Sequence, residues 1–159
     1  MTITHIDCSK TVIEPFPITV IVSRFNTPVT ERLLNSALRR LNELNFPEEF
    51  IRVVHVPGAV EIPLVCKRIA SAGTARAIVT LGAVIRGETT HYDYVCQYAA
   101  DGCLAVSMEY ELPVVFGVLT TENGEQAFAR SGGEHSDKGR ESVDTALEMV
   151  QVMDQLTRA

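Results

Sequence analysis

The stretch Ala77-Ile-Val-Thr-Leu-Gly-Ala-Val-Ile-Arg-Gly-Glu-Thr-Thr-His91 passes from a strand, through a glycine-bearing segment, into a helix. Its first five residues form an almost continuous apolar run of strand length, which suits a strand that is buried on both faces. Three more runs of this kind occupy residues 18–22, 51–56 and 113–119. The sequence therefore predicts four strands with both faces covered.

Helical patterns separate these strands. Leu34, Leu38 and Leu41 recur at helical spacing after Thr27-Pro28, where the threonine is expected as N-cap and the proline at the first helical position. Further helices are predicted at about residues 61–72, 91–110, 124–131 and 138–156. The alternation of strands and helices predicts an α/β fold, a three-layer α/β/α sandwich around a central four-stranded parallel sheet (flavodoxin-like, doubly wound).

Length and composition indicate one folded domain. A chain of 159 residues accommodates a single domain, residues 1–159, with a buried core of its own. An apolar share of 46% and a charged share of 21% are typical of globular proteins. Residues 1–17 lie outside the strand–helix pattern, and we expect this N-terminal extension to add an edge strand to a neighbouring subunit.

Charge, hydropathy and cysteine content narrow the class of protein. A net charge of −6 argues against a nucleic-acid partner. No apolar run approaches the roughly 18 residues of a membrane span, and no signal peptide is visible, so we expect a cytoplasmic protein without a membrane partner. Cys8, Cys66, Cys96 and Cys103 form no Cys-x-x-Cys pair and no ligand spacing with the histidines. We therefore expect reduced thiols and no metal.

Ligand binding is expected at one edge of the sheet. In open parallel sheets, ligands bind beyond the carboxyl ends of the strands. Polar or glycine-rich segments follow the predicted strands there, at residues 23–26, 57–61, 82–91 and 120–123. In the third, Arg86-Gly-Glu-Thr-Thr90 opens a helix, whose free N–H groups and positive dipole end suit a phosphate. The alternative is that a threonine merely caps this helix and the arginine is a surface charge.

Single residues at this edge each have two interpretations. His91 either transfers protons for a bound phosphate ester or is a capping or solvated side chain. Phe25 either stacks on a planar ligand or covers the core. Glu61 either binds hydroxyl groups or is a favourable acid in a first helical turn. By position alone, one further aromatic residue is core and two basic residues are solvated: Phe116, Arg130 and Lys138.

Five segments at the predicted strand ends form one set. They are Ser23-Arg-Phe-Asn26, Pro57-Gly-Ala-Val-Glu-Ile-Pro63, Gly82-Ala-Val-Ile-Arg-Gly-Glu-Thr-Thr-His-Tyr-Asp-Tyr94, Phe116-Gly-Val-Leu-Thr-Thr-Glu-Asn123 and Asp137-Lys-Gly139. In order and spacing, over about residues 16–156, this set resembles the lumazine synthase (6,7-dimethyl-8-ribityllumazine synthase) family. The resemblance implies the penultimate step of riboflavin biosynthesis, the condensation of 5-amino-6-(D-ribitylamino)uracil with 3,4-dihydroxy-2-butanone 4-phosphate, with no cofactor.

The resemblance implies that one group of residues binds the ribitylaminouracil. The Phe25 ring would stack on the pyrimidine, and the stretch Ala59-Val60-Glu61 would bind the ribityl chain, with Glu61 acting through its carboxylate. Backbone groups of Ala83, Val84 and Ile85 would hydrogen-bond to the uracil. The family builds its site between adjacent subunits, so Phe116 would pack on the pyrimidine from the neighbouring chain.

A second group is implied for the phosphate substrate and for proton transfer. Glu88 and Thr89 would hold the butanone phosphate from the helix N-terminus, and Arg130 would neutralise its charge with Lys138 close by. His91 would be the catalytic residue that transfers protons.

The resemblance further implies a homopentamer. Residues 130–138 show no insertion, which favours a sixty-subunit shell over a free pentamer, and an association with riboflavin synthase is a further expectation. This loop departs from the family pattern, since it reads Ser136-Asp-Lys-Gly139 instead of a Gly-Asn-Lys-Gly-like sequence and carries Glu134 where a basic residue is common. Two other functions stay open, an archaeal-type riboflavin synthase and a non-catalytic flavin- or lumazine-binding shell protein.

Overall fold

Four parallel strands form one sheet in the computed structural model, which describes residues 1–133 and 135–158. Glu134, singled out above for its charge, lies outside the described residues. The strands stand in the order β2-β1-β3-β4, so β2 and β4 are the edges of the sheet. Their bounds are Ile18–Ser23 for β1, Ile51–Val56 for β2, Ala77–Ile85 for β3 and Val114–Thr121 for β4.

Helices cover both faces of this sheet. Their bounds are Thr27–Glu43 for α1, Ile62–Ala72 for α2, His91–Tyr110 for α3, Gly124–Ala129 for α4 and Lys138–Arg158 for α5. Helices α1, α4 and α5 share one apolar cluster with the sheet, and α2 and α3 share the other. Val20 and Ile21 of β1 point to opposite clusters and are both fully buried. The predicted α/β sandwich with a four-stranded parallel sheet is confirmed.

Strand β3 is longer than predicted. It runs to Ile85 instead of ending at Leu81, because Gly82 to Ile85 pair with Val118 to Thr121 of β4. Buried backbone groups require partners, and β4 supplies them because it too extends beyond its predicted end. The glycine-bearing segment therefore begins as strand, and only the residues after Ile85 form the turn into α3.

The residues directly before α1 and α5 are the N-caps of these helices. Asn26, not Thr27, is the N-cap of α1, with φ 63° and ψ 45°, a left-handed conformation that asparagine tolerates better than most residues. Asp137 is the N-cap of α5, since its Oδ1 accepts a 3.2 Å hydrogen bond from the Arg140 N–H. Two single 3₁₀ turns, Glu48–Phe50 and Ala59–Glu61, are too short to leave a periodic pattern and were not predicted.

Residues 1–17 form no strand within the chain. The Phe16 ring meets the Phe46 ring edge-on, 5.5 Å between centroids, and Cys8 is buried. The expected pairing of this segment with a neighbouring subunit stays a prediction. All four cysteines are free; Cys8, Cys66 and Cys103 are buried, and Cys96 is half-buried. None of the helices in the described parts of the chain combines the length and apolarity of a membrane span.

Candidate active site

A cavity of about 320 Å³ lies at the carboxyl ends of the strands. It occupies the point where the strand order changes direction between β1 and β3, the usual ligand position in a doubly wound sheet. Four segments contribute to its lining: Phe25 and Asn26 after β1, Gly58, Ala59 and Val60 after β2, Ala83, Val84 and Ile85 of β3, and Gly87, Thr89, His91, Tyr92 and Val95 at the start of α3. Eight predicted site residues are thus brought together.

Phe25 presents an uncovered aromatic ring beside this cavity. The residue is 72% exposed, so it does not cover the core, as one of its two interpretations had it. Its N–H donates a 2.9 Å hydrogen bond to the Pro57 carbonyl, and the Arg24 N–H donates one of 2.8 Å to the Val56 carbonyl. The backbone that carries the ring is therefore tied to the end of β2.

Strand β3 offers the cavity a backbone edge without a neighbouring strand, because it runs past β1. The register pairs Val22 with Leu81 and goes no further along β3. The side of β3 that faces β1 is consequently without a neighbouring strand at Ala83 to Ile85. A residue's N–H and C=O point to the same side of a strand, alternating along it, so Ala83 and Ile85 direct theirs toward the cavity.

Asn26 is a site residue that the sequence analysis did not assign. Its Nδ2 donates a 2.7 Å hydrogen bond to the Ala83 carbonyl and so links the loop after β1 to β3. Tyr92 and Val95 were also not assigned, although Tyr92 lay within a quoted segment. Burial raises the pKa of the Tyr92 phenol, which therefore stays protonated near neutral pH. For Asn26, the sequence offered one signal: an asparagine directly before the predicted helix start at Thr27-Pro28.

The N-terminus of α3 points its first turn at the cavity. The Thr89 Oγ1 accepts a 3.3 Å hydrogen bond from the His91 N–H, and both side chains are exposed. This 20-residue helix has the positive end of its dipole at the cavity, which suits an anion. Glu88 is exposed beside Thr89 but does not line the cavity.

Arg86 is not a free cation for such an anion. Its Nε donates a 2.7 Å hydrogen bond to Glu122, its Nη1 lies 3.3 Å from an Asp93 carboxylate oxygen, and its guanidinium lies 4.3 Å from the Tyr92 ring centroid. The hydrogen bond to Glu122 raises the pKa of the guanidinium, which remains charged. Arg86 therefore braces α3 against the loop after β4.

Glu61 has the capping geometry that one of its interpretations predicted. Its Oε2 accepts a 2.8 Å hydrogen bond from the Gly58 N–H, and the residue is exposed next to the cavity without lining it. The carboxylate is thereby held beside Ala59 and Val60, which do line the cavity.

Three predicted site residues lie elsewhere in the same chain. Phe116 lines an apolar groove on the β4 edge of the sheet. Arg130 and Lys138 line a separate cavity of about 310 Å³ beyond the end of β4, together with His135. Among the residues that line the first cavity within residues 1–133, only His91 is basic. Within one chain, Arg130 and Lys138 therefore do not line the cavity that contains His91.

No group of three or more histidine, cysteine, aspartate or glutamate side chains could hold a metal ion within residues 1–133 and 135–158.

Comparison with known proteins gave consistent matches over nearly the whole chain. A sequence model described as 6,7-dimethyl-8-ribityllumazine synthase matches residues 15–154. A 6,7-dimethyl-8-ribityllumazine synthase of Coxiella burnetii (strain Dugway 5J108-111) is 54% identical over 141 residues, which cover 89% of this chain and 93% of the relative. One of Protochlamydia amoebophila (strain UWE25) is 49% identical over 138 residues, 87% of this chain and 80% of the relative.

Proposed function

The chain belongs to the 6,7-dimethyl-8-ribityllumazine synthase family, and from this premise we propose that its cavity is one half of an active site that a second subunit completes. The protein is a transferase of riboflavin biosynthesis. It condenses 5-amino-6-(D-ribitylamino)uracil with 3,4-dihydroxy-2-butanone 4-phosphate and releases phosphate and water. The relatives do not favour the archaeal-type riboflavin synthase or the non-catalytic alternative.

This reaction places modest demands on the protein. The aromatic amine is neutral near pH 7 and attacks a ketone that carries its own leaving group, phosphate. Schiff-base formation, loss of phosphate and ring closure need orientation and proton transfer. Orientation contributes several kcal/mol to lowering a barrier, and one positioned acid or base about 10²- to 10⁴-fold in rate.

The edge of β3 that runs beyond β1, beside the exposed Phe25 ring, is the observation that carries the proposal. The pyrimidine stacks on Phe25 while its polar edge pairs with the backbone of the stretch Ala83-Val84-Ile85, which lacks a neighbouring strand on the β1 side. The ribityl chain lies along Ala59 and Val60 and reaches the Glu61 carboxylate, which the Gly58 N–H holds in place.

The first turn of α3 receives the second substrate. Glu88 and Thr89 hold the butanone phosphate through the helix N-terminus, where N–H groups and dipole favour an anion. His91 stands in the same turn and transfers protons between amine, ketone and departing groups.

A neighbouring subunit supplies what this cavity lacks. A phosphate dianion calls for cations, and Arg130 and Lys138 stand on the β4 side of the chain, apart from the His91 cavity. In a ring of subunits, the β4 edge of one chain meets the cavity of the next and brings Phe116, Arg130 and Lys138 to it. We propose a cytoplasmic homopentamer of single-domain chains, in a sixty-subunit shell, with residues 1–17 pairing with a neighbour and riboflavin synthase as a partner.

Subunit mixing tests the shared site. His91→Ala and Arg130→Ala proteins are unfolded, mixed and reassembled, and activity is assayed at a butanone phosphate concentration low enough that each variant alone is nearly inactive. Hybrid rings contain some sites with both residues intact, so activity with the two substrates returns. The control mixture, His91→Ala with the His91→Ala/Arg130→Ala double variant, cannot form an intact site and stays inactive. Equal activity of both mixtures would place His91 and Arg130 in one chain's site and refute the proposal.

A further inference from the structure

The first two turns of α3, which begin with His91, are held only in part by apolar packing. Residues 91–98 are exposed or half-buried, and the first buried residue of this helix is Ala99. The segment before them, residues 86–90, is exposed as well. Within the described residues, the side chain of the N-cap Thr90 makes no capping hydrogen bond. The direction in which His91 points therefore depends on polar contacts.

Arg86 supplies polar contacts to this turn. Its Nη1 lies 3.3 Å from an Asp93 carboxylate oxygen, and its guanidinium lies 4.3 Å from the Tyr92 ring centroid. Its Nε donates a 2.7 Å hydrogen bond to Glu122, in the loop after β4. Tyr92 and Asp93 are the two residues that follow His91 in the chain. The guanidinium therefore connects the turn that carries His91 to the loop after β4.

Both sides of the Arg86–Glu122 hydrogen bond are themselves fixed. The Glu122 N–H donates a 2.8 Å hydrogen bond to the Gln126 side chain, and the Gln126 N–H donates one of 2.9 Å to Asn123 Oδ1. The Arg86 N–H donates a 2.9 Å hydrogen bond to the carbonyl of Thr121, the last residue of β4. The connection thus runs from the first turn of α3 to the end of the sheet.

The charge of Arg86 is directed to its two carboxylate partners. A guanidinium presents its N–H donors in a planar fork, which suits simultaneous contacts to Asp93 and Glu122. These two carboxylates more than balance its single positive charge. Exposed ion pairs of this kind contribute little to global stability, because water and salt screen them. Their effect is therefore local, on the orientation of the first turn of α3.

We infer that Arg86 is a positioning residue for the reaction, because it holds the first turn of α3 in the orientation that brings the His91 imidazole to the reacting atoms. The inference rests on the proposed function, since it takes His91 as the residue that transfers protons. In this role Arg86 touches neither substrate. A displacement of roughly 1 Å in a reacting group lowers a rate by up to about 10²-fold. Loss of the guanidinium therefore slows turnover through His91.

A double-mutant cycle between Arg86 and His91 tests the inference. Arg86→Met keeps an unbranched side chain and loses the guanidinium, and we expect its kcat to fall about five- to twentyfold. The KM for the ribitylaminouracil should stay within about twofold, because Phe25 and β3 bind that substrate. In the His91→Ala background, Arg86→Met should change kcat by less than about twofold, since no imidazole is left to position. An equal fall in both backgrounds would show that Arg86 acts independently of His91 and would overturn the inference.

A second variant covers the case in which Arg86→Met does not fold or assemble, as circular dichroism and light scattering report. Glu122→Gln keeps the backbone N–H that meets Gln126 and loses the charged acceptor of the Arg86 hydrogen bond. The same cycle is then run with Glu122→Gln. Its kcat should fall about two- to fivefold, and only where His91 is present, because the contact with Asp93 remains.

Arg76→Met is the matched control. Arg76 also pairs with a carboxylate, Asp154, and lies 5.6 Å from an aromatic ring centroid, that of Phe16. It directly precedes β3, at the opposite end of this strand from the cavity, so its kcat should be unchanged. A fall in Arg76→Met as large as that in Arg86→Met would overturn the inference.

The two levels of the argument give different results. A slow His91→Ala enzyme together with an unchanged kcat in Arg86→Met overturns the role of Arg86 alone. An unchanged kcat in His91→Ala overturns the role of His91 in the proposed function, and the role of Arg86 with it.

Discussion

The side-chain amide of Asn26 donates a 2.7 Å hydrogen bond to the carbonyl oxygen of Ala83, at the point between β1 and β3 where the strand order reverses. One side of the cavity is the loop after β1, which carries Phe25, and the other is the exposed backbone of β3. This hydrogen bond joins them. Asn26 also has φ 63°. The same residue therefore provides the left-handed backbone conformation of the loop after β1 and the hydrogen bond that fixes this loop to β3.

Substitution of Asn26 separates these two contributions. Asn26→Gly keeps the backbone conformation and loses the hydrogen bond, so the KM for the ribitylaminouracil should rise several-fold. Asn26→Ala loses the same bond and adds about 1–2 kcal/mol of left-handed strain, so it should also lower the unfolding temperature. Steady-state kinetics and thermal unfolding measure the two effects.

Asn45 provides the matched control for Asn26. It has φ 60° at the end of α1, and it lies outside the cavity lining. Asn45→Ala should cost stability as Asn26→Ala does, while its KM for the ribitylaminouracil should stay unchanged. A raised KM in Asn45→Ala would show that the effect is strain and not the link to Ala83.

His91→Ala should slow turnover and leave substrate binding nearly intact. The side chain is exposed at the cavity, and the capping hydrogen bond of Thr89 uses the backbone N–H, which alanine retains. We expect kcat to fall about 10²- to 10⁴-fold, with both KM values within about twofold. His5→Ala is the control. A variant whose kcat is unchanged would remove His91 from proton transfer.

Arg130→Ala should impair use of the phosphate substrate selectively. Loss of a charge-assisted hydrogen bond to phosphate corresponds to about a 10- to 100-fold higher KM for the butanone phosphate. The KM for the ribitylaminouracil should stay within about twofold. Arg68→Ala, an exposed arginine on α2, is the control. Full activity of Arg130→Ala would contradict the role assigned to this residue.

Gly117→Ala should destabilise the fold. A Cβ atom there would lie 2.5 Å from the Thr80 carbonyl oxygen and 2.6 Å from the Ser142 Oγ, where β4 packs against β3 and α5. Overpacking of this kind costs about 1–3 kcal/mol of unfolding free energy. Gly124→Ala has open space around its Cβ and should change stability by less than about 0.5 kcal/mol. Chemical denaturation compares the two, and equal stabilities would contradict the packing argument.

Glu43→Gln should reduce stability at neutral pH but not in acid. Hydrogen bonds from Arg140 of α5 and from Arg40 lower the pKa of the Glu43 carboxyl below its ordinary 4.5. A lowered folded-state pKa contributes stability above pH 4.5, and this contribution is lost as the pH falls through the folded-state value. Glu43→Gln should therefore unfold at a slightly lower temperature than the unaltered protein at pH 7. This difference should shrink and then disappear as the pH falls below 4.5.

Glu31→Gln is the control for Glu43→Gln. Glu31 lies on the same helix, is exposed, and has no ion-pair partner in the described parts of the chain. Its substitution should leave the pH dependence unchanged. Because Glu43 is exposed, added salt should shrink the effect of Glu43→Gln. A difference in unfolding temperature that stays unchanged below pH 4.5 would show that the Glu43 carboxylate is not its source.

Much of the fold could be predicted because apolar periodicity is local. Residues 91–110 were predicted as a helix and form α3 with the same bounds. Helix α2 ends at Ala72, as predicted, and Gly73 directly after it has a left-handed conformation. The end of β3 was missed because it depends on β4, more than 30 residues further along the chain in the register. Local sequence has no information on whether a glycine-bearing segment will find a partner strand.

By itself, the sequence determined the order of strands and helices, the family, and the segments that meet at the carboxyl edge of the sheet, since each of these is written in short-range patterns. Only the tertiary structure decided that Arg86 pairs with Glu122 and Asp93, that Asn26 ties Phe25 to β3, and that Arg130 and Lys138 lie apart from His91. These outcomes depend on which elements pack side by side. A side chain's charge and spacing do not reveal which partner the fold will place within hydrogen-bonding distance of it.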